Sequence, residues 1–144
     1  MNFKDYIKKI FWTLSLPFFP YIRNLTRKLG YNPYPQRQPY LLGYLSPEKT
    51  PEEFKKYLKE KGFKRNIIAW IDNGELLSLR LLENFRYQYH IRLFNDGEIR
   101  GHHELTPEFS PFGHLHDEDT NEKREEFKKI LGDWLTDSPP NLEK

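Results

Sequence analysis

The chain has 144 residues, 37% hydrophobic and 31% charged, which is material for one folded domain and too apolar for a disordered segment. It contains no cysteine, which excludes disulfides, thiolate nucleophiles and cysteine-ligated zinc and fits a reducing, cytoplasmic compartment. Residues 1–65 carry 14 basic and 5 acidic side chains and residues 105–144 carry 5 and 10, so the front either meets an anionic partner or balances the tail's charge within the fold.

In chain order, Phe3, Ile7, Ile10 and Leu14, with Tyr6 and Phe11 beside them, recur at helical spacing and are flanked by Lys4, Lys8 and Lys9. Pro17 and Pro20 interrupt the pattern. Ile22, Leu25 and Leu29 resume it as a second short basic helix that Gly30 can close. The run from Ile10 to Ile22 holds 13 residues and two prolines, too few to span a membrane, and the bulky residues after it offer no signal-peptide cleavage site. Such helices pack on their own domain or on a partner, which is the commoner use of the pattern, or they lie on a membrane surface.

The stretch YNPYPQRQP reads as a proline-interrupted connector. It divides the chain into a basic amphipathic helical extension (1–30), a connector (31–39), a single α+β domain (40–136) and a flexible tail (137–144). YLLGYL is expected to be a strand. Thr50 as N-cap, Pro51 at the first helical position, Glu53 for a capping box and Gly62 as terminator define the next helix, with Phe54, Tyr57 and Leu58 on its buried edge. NIIAWI and ELLSLRLL flank Asp72-Asn73-Gly74, a hairpin signal whose tight turn sets Trp70 opposite Leu77 and Ile68 opposite Leu79.

The second hairpin, RYQYHIRLFNDGEIRGHHE, admits two registers. A three-residue loop Asn95-Asp96-Gly97 pairs Leu93 with Ile99 and keeps Leu77, Leu79, Leu81, Tyr87, Tyr89, Ile91 and Leu105 in one core phase. The opposite face then holds Arg92 against Arg100, His90 against His102 and Gln88 against Glu104, with Ser78 and Arg80 on the neighbouring strand. Like charges placed opposite one another repel. Their compensation is Glu98, Glu104 or a bound phosphate-like anion, unless the face is simply solvated and the arginines splay apart. His103 falls in the core phase beside Tyr89. His114 and His116 share one side of an extended PFGHLHDED segment, as metal ligands or proton-transfer groups need, although a histidine pair in a loop is more often surface decoration; no metal and no cofactor are assigned. DTNEKREEFKKILGDWL closes the domain as a helix, with Asp119 and Glu122 as a capping box and Phe127, Ile130, Leu131, Trp134 and Leu135 as its stripe. The expected fold is α+β: a mainly antiparallel sheet of about five strands with helices packed on one face, and the arginines and histidines on the exposed other face.

From Leu77 to Leu135 the chain resembles the TumE-like proteins, the toxin partners of some prokaryotic toxin/antitoxin pairs. LSLRLLE, YQYHIRLFNDGEIRGHHE, PFGHLH and the short final helix carry the resemblance. RGHHE stands where that family shows an Arg-Tyr-Asp-Asn step, and the basic N-terminal helices lie outside it. The resemblance implies a cytoplasmic α+β protein that binds RNA or a ribosome-associated target, has a cognate antitoxin and cleaves RNA without a metal. On that reading Arg80, Arg92 and Arg100 hold phosphates, while His90 and His102, or His114 and His116, move protons between a ribose 2′-hydroxyl and the leaving oxygen. Nothing points to DNA, and no glycine-rich phosphate loop or recognisable serine nucleophile is present. The alternative is a noncatalytic module that docks on a partner or membrane surface through its N-terminal helices.

Overall fold

The computed structural model describes residues 2–30, 40–65, 72–109 and 120–140. Helix α1 (Phe3–Ser15) leads through a 3-10 turn (Leu16–Phe18) into α2 (Phe19–Lys28). Strand β1 (Tyr40–Leu45) precedes α3 (Pro51–Glu60), and then come β2 (Lys64–Arg65), β3 (Glu75–Leu82), β4 (Tyr87–Phe94) and β5 (Glu98–Leu105). Helix α4 (Thr120–Leu131), a 3-10 turn (Gly132–Trp134) and β6 (Leu135–Thr136) are the last regular elements of the described residues. The sheet has six strands in the order β2-β3-β4-β5-β1-β6, and every neighbouring pair is antiparallel.

Local chemistry accounts for the elements. Thr50 caps α3 as expected: its hydroxyl accepts from the Glu53 N–H at 3.2 Å, and Glu53 Oε2 accepts from the Thr50 N–H at 3.0 Å. Between β4 and β5, Gly97 takes the left-handed conformation (φ 85°) that the three-residue loop demands of it. The register follows, with Leu93 facing Ile99, Arg92 facing Arg100, His90 facing His102 and Gln88 facing Glu104.

One face of the sheet is the core. Leu77, Leu79, Ile91, Leu93 and Ile99 pack with Leu42, Phe54, Leu58, Phe63, Phe127 and Leu131, so α3 and α4 both cover this face. Gly101 sits where β1 and α4 close on β5: a Cβ there would lie 2.8 Å from Leu42 Cδ1 and 2.9 Å from Phe127 Cε1. His103 occupies the core phase beside Tyr89, with its Nε2 3.0 Å from Glu83 Oε2.

Three expectations are corrected. Leu79 faces Arg65, where Ile68 was expected. The turn itself closes as predicted, with the Glu75 N–H reaching the Asp72 carbonyl at 3.3 Å, but β2 pairs three residues out of the register that this turn sets. Trp134 and Leu135 do not continue α4: the chain turns through a 3-10 segment, and Leu135 and Thr136 add a sixth strand opposite Leu45 and Tyr44. The Ser46 N–H donates to the Trp134 carbonyl at 3.0 Å, which ties this end to β1. The face bearing the arginines and histidines is largely covered rather than solvated: Gln88, His90, Arg92, His102 and Glu104 are buried, and Ser78, Arg80 and Arg100 are half-buried. The strand expected over 66–71, the connector over 31–39, the cap at Asp119, His114 and His116 lie outside the described residues.

Candidate functional site

Two features stand apart from ordinary core: the polar sheet face and the N-terminal helices. On the sheet, alternation turns Ser78 and Arg80 of β3, Gln88, His90 and Arg92 of β4, and Arg100, His102 and Glu104 of β5 to the same side. A continuous polar line crosses the three strands. Glu108 binds Arg80 through both guanidinium nitrogens, at 2.9 and 2.5 Å. Arg80 Nη1 donates to Gln88 Oε1 at 3.1 Å, and Gln88 Nε2 donates to Glu104 Oε1 at 2.8 Å. Glu104 Oε1 lies 3.4 Å from His90 Nδ1, and His90 Nε2 lies 2.8 Å from Ser78 Oγ. The His102 ring is 5.5 Å from that of His90.

The structure thus brings His90 and His102 together and sets Arg80, Arg92 and Arg100 on one face. It also supplies each arginine with a carboxylate from the chain itself. Arg92, 1% exposed, pairs with Glu75 and, at 2.6 Å, with Asp72. Arg100 Nε donates to Glu98 Oε2 at 2.5 Å. Phe94 lies against both arginines, its ring centre 5.3 Å from the Arg92 guanidinium carbon and 4.4 Å from that of Arg100. The repulsion expected between Arg92 and Arg100 is therefore met by fixed carboxylates and an aromatic face. Among the described residues no three His, Asp or Glu side chains converge as metal ligands.

Glu75 and Glu108 join this network without having been legible as members of it in the sequence. Glu75 has the wrong parity for the polar face, and it arrives there because the β3–β4 register shifts between Glu75 and Leu77. Glu108 lies beyond the end of β5, where strand alternation no longer applies. Ser78 stands on the face as strand alternation requires, and its contact is diagonal, to His90 rather than to Arg92 directly opposite.

The helices are unusual in their orientation. Asp5 is the buried residue of α1 and lies 3.8 Å from Arg86. Lys8 Nζ donates to the Phe109 carbonyl at 3.0 Å and sits 4.8 Å from the Phe109 ring centre, with the Arg86 guanidinium carbon 5.0 Å from the same ring. An open cleft of about 400 Å³, lined in part by Asn2, Asp5, Phe85 and Arg86, remains beside this seat. The predicted apolar stripe of Phe3, Tyr6, Ile7, Ile10, Phe11 and Leu14 is exposed along its length, Phe3 by 77%, as are Phe18, Tyr21, Ile22, Leu25 and Leu29 beyond it.

Together these features define a class: an α+β domain with a buried polar sheet face and an outward-facing amphipathic helical extension. No family model matches the chain, and neither a curated protein nor a solved structure shows significant similarity to it.

Proposed function

We propose that this protein is a noncatalytic interaction module that docks on a surface through α1 and α2, with the α+β domain as the body it carries. The observation behind the proposal is the direction of the apolar stripe. An amphipathic helix that merely completes its own domain buries its apolar face and shows its polar face to water. In α1 the polar residues Asp5 and Lys8 hold the domain, and the apolar side chains point away from it. Single exposed hydrophobes need no explanation, but a contiguous row of them on a folded chain marks an interaction site.

The test is the full chain carrying Phe3→Ser, Ile7→Ser, Phe11→Ser and Leu14→Ser together. The expected result is unchanged thermal unfolding with a shift from the particulate to the soluble fraction of fractionated cells. Unchanged partitioning, or a clear loss of stability, contradicts the reading.

A second reading, the TumE-like RNA-binding toxin with a cognate antitoxin, draws support from one observation: Ser78, His90, Glu104 and His102 gather proton-transfer groups of the kind metal-independent RNA cleavage uses. The carboxylates already bound to Arg80, Arg92 and Arg100 weigh against a free phosphate clamp. Salt-dependent RNA binding that is lost in a folded Arg92→Ala/Arg100→Ala variant supports this reading, and absence of RNA binding by the wild type ends it.

A further inference from the structure

We infer that the surface met by α1 and α2 is the headgroup boundary of an anionic lipid bilayer. The inference rests on the docking proposal and names its partner. The first argument is the width of the face. At about 3.6 residues per turn, the exposed apolar side chains of α1, from Tyr6 through Phe3 and Leu14 to Phe11, cover an arc of roughly 140°. A coiled-coil seam is narrower than this, so the arc suits a broad apolar surface rather than a single partner helix. Phe18 at the turn and Leu25 in α2 are exposed as well, so the apolar surface does not stop with α1.

Charge supplies the second argument. Residues 2–30 contain six basic side chains and one acidic one, and that acid, Asp5, is buried on the domain side of α1 near Arg86. Lys4, Lys9 and Lys28 are exposed, so the extension offers water an apolar face with basic flanks and no exposed acid. Anionic headgroups complement that pattern. A second copy of the chain does not, because apposing two such faces brings two basic patches together.

Length is the third. Helix α1 has 13 residues, about 20 Å, against a hydrocarbon layer of about 30 Å. No helix among the described residues is long and apolar enough to cross a membrane. The helices therefore lie in the plane of the interface, and the polar seat on Arg86 and Phe109 keeps the domain on the aqueous side.

The experiment is cosedimentation of the purified full chain with vesicles of phosphatidylcholine alone and of phosphatidylcholine mixed with phosphatidylglycerol. Two variants accompany the wild type: the fourfold serine variant, and Lys4→Gln/Lys9→Gln/Lys28→Gln, which spares Lys8 and so leaves the seat intact. The wild type is expected to bind the mixed vesicles far better than the neutral ones and to weaken with salt. The lysine variant should bind the mixed vesicles about a hundredfold more weakly, and the serine variant should bind neither. Equal binding of the wild type to both vesicles, or binding to neither, overturns the inference. If it binds neither yet forms a dimer by light scattering that the serine variant loses, docking stands with a second copy as the occupant. If no dimer forms either and the serine variant partitions in cells like the wild type, the docking proposal falls too.

Discussion

A guanidinium held at 1% exposure, as in Arg92, is tolerated only where carboxylates replace the lost water, and Glu75 (3% exposed) and Asp72 (41%) do this unequally. Removing the buried partner leaves a buried charge uncompensated, so Glu75→Gln should lower unfolding free energy by about 3 kcal/mol in urea titrations. Asp72→Asn, at the solvent edge, should cost less than about 1 kcal/mol. Equal losses would mean that Arg92 does not depend on its buried partner. Tyr89 makes a second residue-scale prediction. Burial, reinforced by the hydrogen bond to Glu126, pushes its hydroxyl from the usual 10 up to about 12. The folded chain therefore holds this proton more tightly than the unfolded one. The associated stability is whole below pH 10 and drains away as pH rises from 10 toward 12. Tyr89→Phe should make the fall in stability shallower across that window, Lys123 and other raised groups supplying the remainder; an unchanged slope would contradict the assignment.

At the scale of elements, strand β5 is fitted to its neighbours at Gly101, where the methyl group of Gly101→Ala meets Leu42 and Phe127. The substitution should destabilise by about 1–3 kcal/mol, read as a drop in melting temperature without loss of the β-sheet circular dichroism signal; no drop would mean that α4 and β1 yield easily there. The hairpin containing this glycine was legible because two-residue periodicity and a glycine at the left-handed loop position leave one register that keeps Leu93 and Ile99 together. Helix α3 was legible through its capping box. The features that were not legible depend on departures from period or on distant pairing. A register shift carries Glu75 onto the polar face, and Leu135 and Thr136 become a strand only because β1 offers them an edge. The candidate site was readable as an array of arginines and histidines, but its burial was not, because alternation assigns residues to a face without saying whether that face is covered.

For the whole molecule, the decisive feature is an extension whose apolar side faces away from the domain. The same periodicity in the sequence fits a helix packed inward, and the contacts of Asp5 with Arg86 and of Lys8 with Phe109, together with the exposure of the apolar stripe, tell the two apart. Because the chain has no cysteine, a spin label can be placed at one chosen site in the full chain. The most direct test is the accessibility of a label at Leu14→Cys, on the apolar face, and at Lys9→Cys, on the other side of α1, to oxygen and to a water-soluble nickel relaxant. On phosphatidylglycerol-containing vesicles Leu14→Cys is expected to become accessible to oxygen and shielded from nickel, while Lys9→Cys stays accessible to nickel. Leu14→Cys remaining as accessible to nickel as it is in vesicle-free buffer would contradict this expectation.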